Sequence, residues 1–263
     1  MNNFHHKDTK NTKIDLIMSE IKIAQNLSEL NILAAEKFVS IGNRAIKTNG
    51  RFTIALAGGS TPKSLYQLLA SDAYKNRIDW TRVFFFFSDE RNVLPTDEEN
   101  NFRMATENLL KPLQIEEENI SRWQTELKDA AENYEKTIRE FFELSEGEFP
   151  RFDLILLGMG DDGHTASLFP FTKALTETSR IAVENRVEKL DTNRLTLTFR
   201  VINNASNIIF LISGAAKAEV LREVLEGKSR GEKLPSQNVK PINGNLFWLI
   251  DADSARLLKN TSD

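Results

Sequence analysis

The chain has 263 residues, 40% of them hydrophobic and 27% charged, with a formal net charge of −4. That is enough apolar material for one large α/β domain or two small ones, and the acidic balance argues against a nucleic-acid footprint. There is no cysteine, so disulfides, thiolate nucleophiles and cysteine-based zinc sites are excluded.

No apolar run approaches the ~20 residues of a membrane span. The opening stretch "MNNFHHKDTKNTKIDLIMSE" is polar and lacks the apolar centre of a signal peptide. A flexible tail is expected over residues 1–19, with Met18 as an alternative start. A cytoplasmic protein is expected. His5 and His6 in that tail have no companion ligands close in sequence, so no metal site is expected there.

In chain order, Leu30, Leu33, Ala34, Phe38, Ile41 and Ile46 recur at helical spacing and predict a helix over 29–48. "RFTIALAGG" predicts a strand ending in glycines. "STPKSLYQLLASD" predicts a helix with cap residues Ser60 and Thr61 and with Pro62 in the first turn. "RVFFFFSDER" and "FDLILLGMG" are too apolar to be exposed on either face, which suggests a covered parallel sheet. Helices are expected at "NNFRMATENLLKPL" and "AAENYEKTIREFFEL". "RLTLTF" alternates as a partly exposed strand. "NIIFLISG" then "AAKAEVLREVLEG" reads as strand, turn and helix, stopping at Gly227. "NLFWLIDADSARLL" is a last strand and helix. The segment 170–193 carries no clear signal.

Alternating strands and helices predict a three-layer, doubly wound α/β fold, with a mostly parallel sheet covered by helices on both faces. Residues 20–263 are expected to form one domain. Ligands of such folds bind beyond the C-terminal strand ends. The polar clusters "GGSTP", "SDER", "GMGDDGH" and "SGAAK" all fall at those ends.

Gly158-Met-Gly160-Asp-Asp-Gly163 matches the dinucleotide fingerprint G-x-G-x-x-G formally. Asp161 and Asp162 would repel a pyrophosphate, and Pro170 follows too soon for a long crossover helix. No nucleotide cofactor is expected. "AGGSTP" combines glycines, hydroxyls and a helix start, which suits a phosphate cradle as well as an ordinary capped turn. It lacks the Walker G-K-[ST] and the G-x-S-x-G of a nucleophile elbow.

Lys217 sits where a cation opposes the helix dipole. It is either a solvated surface lysine or a partner for an anionic ligand. Arg91 of "SDER" could clamp a phosphate or polarise a carbonyl, with Asp89 orienting a neighbour. A surface turn with an Asp–Arg pair is the alternative. His164 is one of three histidines. An imidazole suits acid–base work at neutral pH, and Asp162, two residues away, could hold the ring.

Taken together, "LAGGSTPKSLY", "FFFFSDERNV", "FDLILLGMGDDGHTASLFP", "RLTLTF" and "LISGAAKAEVL" resemble the 6-phosphogluconolactonases over roughly residues 21–258. The resemblance implies hydrolysis of 6-phospho-D-glucono-1,5-lactone in the pentose phosphate pathway. By it, Gly58, Gly59, Ser60, Thr61, Arg194 and Lys217 face the phosphate. Asp89 and Arg91 belong to the site, His164 is the general base, and Asp162 is the acid before it. No metal or cofactor is implied, and a monomer or weak homodimer is expected.

The related glucosamine-6-phosphate isomerase/deaminases carry Asn-Glu-Pro where this chain has Leu168-Phe169-Pro170, so the glutamate that pairs with their histidine is missing here. The residues before Ile21 are too short for the DNA-binding head of a sugar-phosphate sensor. This chain also departs from the lactonase pattern, with Asp161 where proline is expected, Asn100-Asn101 where Ser-Asn is common, and Phe171 where glycine is common.

Overall fold

The computed structural model describes residues 19–259. His5, His6 and Met18 lie outside the described residues. Ser19, expected in the tail, already opens a strand, β1 (Ser19–Ala24).

The next elements are α1 (Leu27–Asn49), β2 (Phe52–Leu56) and α2 (Ser60–Leu69). α1 starts with a reciprocal cap: Asn26 accepts from the Glu29 amide at 3.0 Å, while Glu29 accepts from the Gln25 amide at 2.8 Å. β3 (Val83–Phe87) and β4 (Asp89–Arg91) follow. Then come α3 (Asn101–Ala105), continued by a wider π turn over Thr106–Leu110, and α4 (Ala130–Phe141). β5 (Leu154–Leu157), β6 (Ala182–Val187) and β7 (Thr192–Leu197) lead to α5 (Phe199–Ile202), β8 (Asn207–Ile212) and α6 (Ala218–Glu226). β9 (Asn245–Asp251) and α7 (Ala252–Ala255) close the described chain.

Six strands form one parallel sheet in the order β1-β9-β8-β5-β2-β3. Every residue of β2 and β5 is buried, so both faces of the centre are covered, as continuous apolar runs require. The mostly parallel α/β fold is therefore the one expected. β1 is an edge strand with Ile21 and Ile23 exposed, which explains its weak sequence signal.

The expected strand "RVFFFFSDER" is in fact two. β3 ends at Phe87, the chain turns at Ser88, and β4 joins a second sheet, antiparallel, in the order β4-β7-β6. "RLTLTF" supplies its central strand, and the unassigned segment 170–193 supplies β6. Both sheets share one hydrophobic core, in which Leu195 and Leu197 join Phe85, Phe86 and Phe87. Burying each such phenylalanine contributes about 1.5–3 kcal/mol.

Strand order reverses between β2 and β5. The chain runs outward from β2 to β3, then returns to the other side of β2. The loops after β2 and β5 therefore diverge and leave a crevice at the C-terminal ends. Two buried tyrosines pin the strand ends there. Tyr66 Oη donates to the Ala57 carbonyl at 2.8 Å and accepts from its amide at 3.0 Å. Tyr134 Oη does the same for Phe87, at 3.1 and 2.8 Å.

Candidate active site

A cavity of about 420 Å³ occupies this crevice. Its walls include all ten residues singled out from the sequence: Gly58, Gly59, Ser60, Thr61, Asp89, Arg91, Asp162, His164, Arg194 and Lys217. They come from five chain segments and two sheets.

The floor is the β2–α2 turn. Gly59 has φ +101, a left-handed conformation open to glycine at little cost. It also occupies the cap position of α2, and no side chain caps that helix. The first-turn N–H groups of Ser60 and Thr61 thus lie at the cavity with the positive end of the helix dipole behind them.

The D-E-R triplet is sorted by strand alternation. Asp89 and Arg91 share one face of β4, with Glu90 on the other. Asp89 is held by two serines: Ser167 Oγ donates to its Oδ2 at 2.8 Å and Ser88 Oγ to its Oδ1 at 3.1 Å. Glu90 is fully buried and accepts from the amides of Arg91, Asn101 and Phe102 at 2.7–2.9 Å. Burial pushes its carboxyl up to about 7, against the pull of those donors.

Arg91 stands directly opposite Arg194 in the β4–β7 ladder, so both point to the same face. Arg91 Nη1 donates to the Glu99 carbonyl at 2.6 Å. Burial first, and then the Arg91 charge, lower the Arg194 pKa from its ordinary value. Two guanidiniums so placed repel each other until an anion lies between them.

The β5–β6 connection carries the histidine. His164 Nδ1 lies 2.6 Å from Asp162 Oδ1. Burial opposes ionisation of Asp162, but the bond to His164, the charge there and the nearby Lys189 outweigh it. Its pKa is held well below the ordinary carboxylate value. An ionised Asp162 favours the tautomer that donates from Nδ1–H, and in the neutral ring that tautomer keeps the lone pair on Nε2. The ring stacks on Phe169 at 4.0 Å between centroids. Gly160 makes this packing possible, since a Cβ there would lie 2.0 Å from His164 Nδ1.

Lys217 ends the short turn before α6 and forms a short ion pair with Asp161. That turn is fixed from behind by Asp251, which accepts from the Gly214 amide at 3.1 Å, from the Ser254 amide at 2.9 Å and from the Ser213 hydroxyl.

Sequence reading did not single out Ser167, Phe169 or Lys189 as site residues, yet all line the cavity. Lys189 Nζ reaches Asp162 Oδ2 at 3.4 Å from the β6–β7 turn, a segment with no readable periodicity. Ser167 and Phe169 lie within the quoted histidine motif, and their proximity to His164 was the available signal.

The family model "Glucosamine-6-phosphate isomerases/6-phosphogluconolactonase" matches residues 25–248. A 6-phosphogluconolactonase of Nostoc is 43% identical over 213 residues, covering 79% of this chain and 85% of its own. One of Synechocystis is 41% identical over 220 residues, covering 82% and 88%. The solved 6-phosphogluconolactonase of Trypanosoma cruzi superposes with a TM-score of 0.82 at 29% identity, over 94% of this chain and 98% of that one. With the family's model matched over most of its length and relatives above 40% identity, the chain belongs to the glucosamine-6-phosphate isomerase/6-phosphogluconolactonase family.

Proposed function

We propose that this chain hydrolyses 6-phospho-D-glucono-1,5-lactone to 6-phosphogluconate, in the oxidative branch of the pentose phosphate pathway, with His164 as general base. The observation that carries the reading is the His164 environment. Asp162 holds one ring nitrogen and Phe169 covers the ring. Phe169 stands at the position where the deaminase pattern has its glutamate, so an apolar ring replaces the acid that a ring-opening, amine-releasing reaction would use.

The Gly58–Thr61 turn, Arg194 and Lys217 anchor the 6-phosphate. Binding energy from this remote group holds the lactone in place. Nε2 of His164 takes a proton from water as the water oxygen attacks C1. The carbonyl electrons move to its oxygen, and Arg91 or loop N–H groups stabilise that oxyanion. The C1–ring-oxygen bond then breaks, and the imidazolium returns the proton to the departing oxygen. Asp162 stabilises the imidazolium in between.

The test is substrate choice. The protein should accelerate loss of 6-phosphogluconolactone far above the spontaneous rate, act poorly on the unphosphorylated lactone, and release no ammonia from glucosamine 6-phosphate. Ammonia release without lactone hydrolysis would overturn the reading.

A further inference from the structure

We propose that Asp161 is a resident counter-ion of Lys217, which the substrate's phosphate displaces, so that Asp161 sets the affinity of the site for its phosphorylated ligands. The inference depends on Lys217 binding phosphate, as in the proposed function.

Three acids line the cavity, and they differ in how they are held. Asp89 is fixed by two serine hydroxyls. Asp162 is fixed by His164 and Lys189. Asp161 is next to Asp162 in sequence, and among the described residues its side chain is held by Lys217 alone. Its side chain is 76% exposed, against 27% for Lys217. A pair with one partner so exposed is worth little. A phosphate dianion carries more charge than a carboxylate and offers more oxygens, so it outcompetes Asp161 for the same ammonium.

The displaced carboxylate has somewhere to go. Asp161 also lines a second cavity of about 990 Å³, so it can turn out of one space into the other. The loop keeps its shape meanwhile, because Asp161 does not hold it. The Gly160 amide donates to the His164 carbonyl at 2.9 Å, Thr165 Oγ1 to the Gly158 carbonyl at 2.8 Å, and the Ser236 amide to the Gly163 carbonyl at 2.9 Å. Asp161 thus competes with the ligand without shaping the catalytic loop.

The experiment is a double-mutant cycle with 6-phosphogluconate as the probe, read by calorimetric titration of the wild type, D161N, K217A and the double variant. Tightening of Kd by about two- to fivefold in D161N, absent in the K217A background, is the expected result. An unchanged or weaker Kd in D161N, with K217A clearly weakened, overturns the counter-ion role while leaving the phosphate reading intact. Equal tightening in both backgrounds also overturns it, since the effect would then be a general loss of negative charge. If K217A binds as the wild type does, the phosphate role of Lys217 fails, and the inference with it.

Discussion

Arg91 and Arg194 are direct partners across the β4–β7 ladder, with both guanidiniums on the cavity side. Like charges opposite each other weaken a sheet, and the Arg91 charge disfavours the charged form of Arg194. Replacing Arg194 by alanine should raise KM for the phosphorylated lactone about 10–100-fold, the loss expected for a charged hydrogen bond. Thermal stability without ligand should hold or rise slightly, and the stabilisation by added 6-phosphogluconate should shrink. An unchanged KM would remove Arg194 from phosphate binding.

His164 Nδ1 lies 2.6 Å from Asp162 Oδ1, close enough for the carboxylate to orient the ring. In D162N that support is lost. Turnover should fall by about 10–10³-fold, with 6-phosphogluconate binding retained. Unchanged turnover would mean that Asp162 shapes the turn without orienting the ring.

Gly160→Ala separates stability from catalysis. The new Cβ collides with the His164 ring, a movable side chain, rather than with backbone. The ring should swing away from Asp162 at little cost in folding. Turnover should drop by about 10²-fold, as for a misplaced catalytic group, with a melting temperature within a few degrees of the wild type. Wild-type turnover would show that the ring position is not critical.

Glu90 makes folding depend on pH. Its carboxyl titrates near 7 when folded and near 4.3 when unfolded. Between those values the folded state holds the proton and the unfolded state does not, so stability falls as pH rises from about 4.5 through 7. The contribution is on the order of 3 kcal/mol. Denaturant melts across this range should show the decline in wild type and a flatter curve in E90Q. Parallel curves would contradict it.

The covered strands β2, β3 and β5 were readable because "FTIAL", "FFFF" and "LILL" are largely apolar on both faces. The loops after those strands were readable for the same reason, since a strand end locates them. β1 was not, because an edge strand with exposed Ile21 and Ile23 need not be apolar throughout. The break at Ser88 was hidden, because the chain is strand on both sides of that one-residue bend. The pairings of Asp162 with Lys189 and of Asp161 with Lys217 span 27 and 56 residues, and nothing local signals a contact made by tertiary packing.

Whether His164 activates the water is decided by lactone turnover. Freshly prepared 6-phosphogluconolactone would be followed in wild type and His164→Ala side by side, against the enzyme-free rate. Wild-type hydrolysis should be fast and the variant should lose about 10²–10⁴-fold, with 6-phosphogluconate binding retained. Wild-type turnover in His164→Ala, after subtraction of spontaneous hydrolysis, would contradict it.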